Sequence, residues 1–262
     1  MSTALITGAS GGIGKAFAEK LAARKTNLVL VARSSEKLQQ LATELRQKYK
    51  IQVEVIVKDL TETNASNAVF DTIKSQELTI DLLINNAGFG DYGDFAERDG
   101  ERQLNMIQLN IMALVDLTHK FLPLMRQRRS GSIINISSIA GFQPMPYLSV
   151  YAATKAFVLS FSEALWAENR DYGVHVLVVC PGPTGTDFFT EAKFPQSLAG
   201  SNNKISTPEE VVDDALKALE KGEPTVVTGG LANQIIVNAH RFLPRESLVN
   251  LVAKQFKGVG DW

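Results

Sequence analysis

The chain has 262 residues, of which 45% are hydrophobic, 21% charged and 8% aromatic, a balance that excludes disordered, collagen-like and coiled-coil classes and supplies one substantial core. Twenty-seven Lys and Arg against 28 Asp and Glu leave a formal charge of -1, so the basic field on which non-specific nucleic-acid binding rests is missing and no nucleic-acid partner is expected. The single cysteine, Cys180, cannot form an internal disulfide, and His119, His175 and His240 are too scattered to make a metal site; a reducing compartment and no metal are expected.

Seven short apolar runs alternate with longer amphipathic segments. The runs are residues 4–7 (ALIT), 28–32 (LVLVA), 53–57 (VEVIV), 80–84 (IDLLI), 132–136 (SIINI), 174–179 (VHVLVV) and 225–228 (TVVT). Helical periodicity covers 13–24, 35–49, 63–77, 100–128, 150–171 and 207–221, the last opened by Thr207 with Pro208 at the first helical position. Strands alternating with helices of this length predict an α/β fold, a parallel sheet covered on both faces. One domain over 1–262 is expected, with its core in 3–228. Residues 185–206 have no clean period and read as a lid, while 230–262 offers two short amphipathic helices divided at Pro244. Those helices cap the pocket, pair subunits or rest on a membrane surface, and the pattern leaves all three roles open. No apolar run reaches the roughly 20 residues of a membrane span, and the opening MSTALITGASGG has neither the basic start nor the apolar core of a secretory leader. A cytoplasmic location follows as an expectation.

The first run ends in Thr7-Gly8-Ala9-Ser10-Gly11-Gly12-Ile13-Gly14. Between a strand and a helix, glycines at this spacing let the backbone turn tightly, approach a pyrophosphate and start the helix close to the sheet, with the helix N-terminus toward the phosphates. A dinucleotide site is therefore predicted at Gly8, Ser10, Gly12, Ile13 and Gly14. At the end of the second run, where an acid would bond the ribose 2′-hydroxyl of NAD, stands Ala32, followed by Arg33, Ser34 and Ser35. A guanidinium with neighbouring hydroxyls suits a 2′-phosphate, so NADP(H) is favoured over NAD(H).

Tyr151-Ala152-Ala153-Thr154-Lys155 places a phenol and an ammonium on one helical face. The ammonium is expected to stabilise phenolate and lower the tyrosine pKa, making it an acid/base group. Ser138 follows the fifth run and Asn85-Asn86-Ala87-Gly88 the fourth, so all of these groups belong at the carboxyl edge of one sheet.

With these motifs in order, followed by Pro181-Gly182, residues 3 to about 228 resemble the short-chain dehydrogenase/reductase family, and the whole chain is most similar to its DltE-like branch. The resemblance implies a Rossmann-type doubly wound sheet of seven mainly parallel strands. By position it implies Tyr151 as proton donor, Lys155 as its partner and holder of the nicotinamide ribose, Ser138 on the substrate carbonyl, and Asn110 supporting a water-linked proton path to the lysine. Asp59 and Leu60 fall at the adenine, Asn86, Ala87 and Gly88 along the cofactor, and Pro181, Gly182, Thr184 and Thr186 at the nicotinamide. It also implies a homodimer or homotetramer through helices 100–128 and 150–171. Phe89, Tyr92, Phe142, Pro144, Met145, Tyr147, Phe188 and Phe189 are expected near the pocket mouth, pointing to a hydrophobic carbonyl substrate, and the similarity to the DltE-like branch, grouped with 3-oxoacyl- and hydroxysteroid-reducing members, implies a hydrophobic ketone or 3-oxoacyl compound reduced with NADPH. A silent NADP(H)-sensing protein and a sugar-nucleotide epimerase or dehydratase are the competing readings; intact catalytic groups weigh against the first, and the missing larger C-terminal domain against the second.

Overall fold

The structure is a computed structural model and describes residues 1–195, 205–239 and 242–257. Part of the expected lid, His240 and the end of the C-terminal extension lie outside them. The described elements run β1 (Thr3–Thr7), α1 (Gly12–Ala23), β2 (Asn27–Ala32), α2 (Ser35–Tyr49), β3 (Val53–Val57), α3 (Ala65–Ser75), β4 (Leu82–Asn85), α4 (Gly100–Ile107), a π-helical turn (Gln108–Ala113), α5 (Leu114–Gln127), β5 (Gly131–Ile136) and α6 (Ser149–Asn169). They continue with β6 (Val174–Cys180), α7 (Phe188–Glu191), α8 (Pro208–Glu220), β7 (Thr225–Val227), α9 (Leu231–Ala239) and α10 (Arg245–Lys257).

The seven strands form one parallel sheet in the order β3-β2-β1-β4-β5-β6-β7. The chain winds outward from β1 to β3, then returns to pair β4 with β1, Leu5 opposite Leu83. That reversal makes β1 and β4 the topological switch point, where open α/β sheets bind ligands beyond their carboxyl ends. Side chains alternate between faces with the pleat: Ile6, Leu30, Ile134 and Leu177 pack against Phe17, Leu38 and Val212 on one side. Leu5, Val29, Ile133 and Val176 face Val69, Leu117 and Phe121 on the other. Burial on both faces is why the strands read as near-continuous apolar runs instead of alternating ones.

One segment departs from expectation. Residues 100–128 form not one α-helix but two, joined by the π-turn at 108–113. Such turns insert an extra residue into the helical repeat and occur often at functional sites; here the turn contains Asn110, buried to 1% exposure. The expected helix over 207–221 begins with a reciprocal cap, Thr207 Oγ1 accepting from Glu210 N at 3.2 Å and Glu210 Oε2 accepting from Thr207 N at 3.0 Å.

Candidate active site

The glycine turn after β1 is fastened to the loop after β4. Asn86 donates its side-chain amide to Thr7 O at 2.9 Å and Gly8 O at 3.3 Å, while Thr7 Oγ1 accepts from the Asn86 and Ala87 N–H groups, each at 3.0 Å. Gly8 has φ +65, the left-handed region, and a Cβ on it would lie 2.8 Å from the Asn86 amide. A Cβ on Gly14 would lie 2.3 Å from Gly8 O, so the helix can start this close only with glycine there. The first turn of α1 carries no acidic residue, and its cap, Gly11, has no side-chain hydrogen bond. The cradle thus leaves positively polarised N–H groups directed outward between Ser10 and Ile13, which fits a pyrophosphate. Thr186, from the segment after β6, closes over Gly12, where a Cβ would lie 3.0 Å from its methyl group.

Beyond β2, Arg33 is 74% exposed in its side chain and stands 3.7 Å from Asp59 Oδ2. Ser34 caps α2 without a side-chain hydrogen bond. Burial pushes the Asp59 carboxyl up, but hydrogen bonds from Thr61 and the Arg33 charge more than reverse it and hold the group below the usual carboxylate range. Asp59 Oδ1 accepts from Thr61 N at 2.9 Å and Thr61 Oγ1 at 2.7 Å, a turn-stabilising pattern. Leu60 beside it is buried. Among the described residues no group of three metal-ligating side chains comes together.

At the other end of the cleft, Ser138, Tyr151 and Lys155 converge. Ser138 follows β5, accepting from Ala140 N at 3.1 Å and donating to Pro181 O at 3.5 Å. Tyr151 is 8% and Lys155 6% exposed, with the ammonium 5.7 Å from the centre of the phenol ring. The expected lowering of the tyrosine pKa by Lys155 is overturned. Burial pushes the phenol up to about 12, and the opposing pull comes from the Ser138 hydrogen bond. Lys155 is itself pushed down to about 8 by burial, and its ammonium donates to Ile136 O at 2.9 Å. Two groups withdrawn from water at the same sheet edge each resist their charged form.

Asn110 does not reach Lys155 through any of its side-chain hydrogen bonds. Its amide is spent on positioning: Nδ2 donates to Phe89 O and Thr154 Oγ1, each at 3.0 Å, and Oδ1 accepts from Phe89 N at 3.1 Å. The π-turn thereby clamps the loop after Gly88 beside the lysine. On the far side, Thr184 Oγ1 donates to Gly182 O at 2.9 Å, and Thr186 Oγ1 accepts from Phe188 N at 3.2 Å.

Phe188 lies 5.1 Å from the Tyr151 ring, within an apolar cluster that includes Phe89, Tyr92, Met145, Phe194 and Phe256. Phe142, expected at the pocket mouth, packs with Val115, Leu159 and Val227 against Val158 and Val178. Two contributors are not visible in the sequence. Phe256, on α10, accepts a hydrogen bond through its carbonyl from the Tyr92 hydroxyl at 2.7 Å, so the C-terminal extension covers the aromatic cluster. Asp91, with a side chain 0% exposed, accepts from Arg98 Nε at 2.8 Å and Arg102 Nε at 2.9 Å. Its interleaved acids and bases, 91–103, look like a solvated face, and only the fold reveals that one carboxylate is inside.

A family model for short chain dehydrogenases matches residues 2–196. The chain is 35% identical over 258 residues to mouse (Mus musculus) 17-beta-hydroxysteroid dehydrogenase type 3, covering 97% of this chain and 80% of that protein. It is 35% identical over 262 residues to the very-long-chain 3-oxoacyl-CoA reductase of Anas platyrhynchos, covering 98% and 80%. A solved short-chain dehydrogenase from Sphingobium yanoikuyae in complex with NADPH superposes with a TM-score of 0.83 at 34% identity, covering 95% of this chain and 96% of that one. Together with the switch-point cleft and the Ser138, Tyr151 and Lys155 constellation, these matches make the chain a member of the short-chain dehydrogenase/reductase family, an oxidoreductase that interconverts carbonyl and alcohol groups with a nicotinamide cofactor.

Proposed function

We propose that this enzyme uses NADP(H) and reduces a hydrophobic ketone or 3-oxoacyl compound. The observation that carries the reading is the buried Tyr151 phenol, set beside Lys155 and roofed by Phe188. A proton donor beneath an aromatic ceiling selects an apolar carbonyl. The apolar substrates in the names of the mouse and Anas platyrhynchos relatives, a hydroxysteroid and a very-long-chain acyl thioester, support it.

When bound, the cofactor supplies the hydride that reaches the carbonyl carbon. Tyr151 donates its proton to the oxygen as that oxygen gains charge, and Ser138 hydrogen-bonds the same oxygen. A phenol pushed up to about 12 is protonated at neutral pH, as reduction requires. Lys155 holds the nicotinamide ribose hydroxyls, and Asn110 keeps the Gly88–Phe89 loop against it. Gly8, Ser10, Gly12, Ile13 and Gly14 would hold the pyrophosphate, Asp59, Leu60, Asn86, Ala87 and Gly88 the adenosine half and its linkage, and Pro181, Gly182, Thr184 and Thr186 the nicotinamide. Phe188, Phe194 and Phe256 exclude water.

NADP(H) preference rests on Arg33 and Ser34 at the end of a strand that carries no acid, and the NADPH bound to the Sphingobium yanoikuyae enzyme supports it. Arg33→Ala is expected to weaken NADPH binding about tenfold, as loss of a charge-assisted hydrogen bond of ~1.5 kcal/mol does, and to leave NADH binding nearly unchanged. Parallel equilibrium titrations check it, and an equal loss for both cofactors contradicts the assignment.

The lysine gives a pH signature. Lys155 carries its proton below about 8 and loses it above, so kcat/KM for the cofactor should be level through neutrality and fall as pH rises past that value, since this parameter reports the free enzyme. A profile level to pH ~10, near the free lysine pKa, contradicts it.

The assembly we propose is a homodimer or homotetramer, supported by the exposed apolar side chains Leu104, Ile107, Met112 and Phe157 on the long helices; a monomer by light scattering at micromolar concentration excludes it. We also propose a cytoplasmic protein with peripheral membrane contact. Exposed Leu231, Ile235, Phe242 and Leu251 beside Arg245, Lys254 and Lys257 support the contact, and failure to sediment with anionic vesicles removes it. No described helix is long and apolar enough to cross a membrane.

A further inference from the structure

The chain turns back after β7 through Gly229 and Gly230, both left-handed at φ +90 and +86. That reversal lays α9 over the carboxyl edge of the sheet and inserts Asn233, which is 8% exposed. The Asn233 amide donates to Thr228 O at 2.7 Å. It fills the space between two backbone turns: a Cβ on Gly182 would lie 2.1 Å from its nitrogen, and a Cβ on Gly229 would lie 2.3 Å from it. Only positions without a Cβ admit the amide there.

The turn on one side of this wedge is Pro181–Gly182. Pro181 O accepts from Ile139 N at 3.0 Å and from the Ser138 hydroxyl at 3.5 Å. A side chain of the C-terminal extension is therefore one residue removed from the catalytic hydroxyl and in direct contact with the turn that faces the nicotinamide.

We infer that Asn233 is a positioning residue, whose amide acts as the spacer that sets the Pro181–Gly182 turn against the nicotinamide end of the cofactor and, through Pro181 O, aims Ser138. This rests on the assignment of that turn to the nicotinamide. Alanine removes the spacer and lets the turn relax into the gap. Aspartate keeps the shape but faces Thr228 O with an acceptor in place of a donor, leaving two acceptors opposed. Displacement of about 1 Å at a reacting centre lowers rate by up to ~100-fold.

The test uses the full chain and two probes. NADPH binding is followed by the fluorescence of its reduced nicotinamide, and adenosine 2′,5′-bisphosphate, which carries only the adenosine end, is titrated alongside. Asn233→Ala and Asn233→Asp are expected to bind NADPH about tenfold more weakly and to lose kcat, with the bisphosphate affinity unchanged. Asn233→Ser, too short to fill the gap, is expected to behave as the alanine variant does and stands in for it should that variant not fold. Unchanged NADPH affinity and kcat in folded variants, or equal weakening for both probes, overturns the inference and leaves the proposed function standing. A wild-type protein that binds the bisphosphate but neither NADPH nor NADH overturns the cofactor reading beneath it.

Discussion

Tyr151→Phe lowers turnover on the order of 10²- to 10⁴-fold, the contribution of a positioned proton donor, and leaves NADPH affinity within about a factor of two. The hydroxyl is all that the substitution removes. The ring stays in its buried slot 5.1 Å from Phe188, and Lys155 keeps its own anchor on Ile136 O, so the cofactor-binding groups do not move. Ser138 alone then faces the developing oxyanion, and the proton must come from water that the aromatic cluster excludes. Single-turnover rates set beside equilibrium titration of NADPH separate the two effects. Equal loss of both shows that Tyr151 holds the cofactor and does not supply the proton.

Asp91→Asn destabilises the fold by ~3–5 kcal/mol, the cost of removing one partner from a buried ion pair. The wild-type carboxylate receives two bonds from Arg98, at 2.8 and 3.1 Å, one from Arg102 at 2.9 Å and one from Gln103 at 2.7 Å. An amide offers these donors a single acceptor and turns an N–H₂ toward the rest. Burial pushes the Asp91 carboxyl up, and the hydrogen bonds and charges of Arg98 and Arg102 more than offset it, so the group is held below the usual range. A depressed carboxylate contributes stability above its unfolded pKa, near ~3.9, that is lost as pH falls through the folded value. Wild type should thus lose stability in the acid range more steeply than Asp91→Asn. Substrate KM should rise as well, because Arg102 also bonds Glu191 O at 2.6 Å and stacks on Phe89 at 4.9 Å, tying the β4 loop to the segment that carries Phe188. Chemical denaturation at pH 7 and at about pH 3, below the unfolded carboxylate value, checks both parts; a variant as stable as wild type at pH 7, or a stability gap that does not narrow at the lower pH, contradicts the account.

The strands are legible in the chain because a sheet buried on both faces demands unbroken apolar runs, and the glycine turn because backbone approach at Gly8 and Gly14 admits no Cβ. The convergence of Ser138, Tyr151 and Lys155 is legible for a topological reason: residues just past parallel strands share one edge. Three features are not. The π-turn at 108–113 leaves the amphipathic period nearly intact, so Gln108–Ala113 reads as ordinary helix. The pKa of Tyr151 depends on how completely two groups are desolvated, and spacing at i and i+4 carries no such information. Asn233 and Asp91 are common polar residues in polar stretches, and their burial is a tertiary fact, created by α9 folding back and by two arginines closing over one carboxylate.

The most direct test of carbonyl reduction by this site uses NADPH carrying deuterium at C4, in each of its two stereochemical forms, offered with hydrophobic ketones, aldehydes and 3-oxoacyl thioesters. With one of the two forms, deuterium should appear on the new carbinol carbon of a product, at a rate that collapses in Tyr151→Phe. Tight binding of NADPH with the label retained in the cofactor across every acceptor would contradict the account and make the protein an NADP(H)-sensing one.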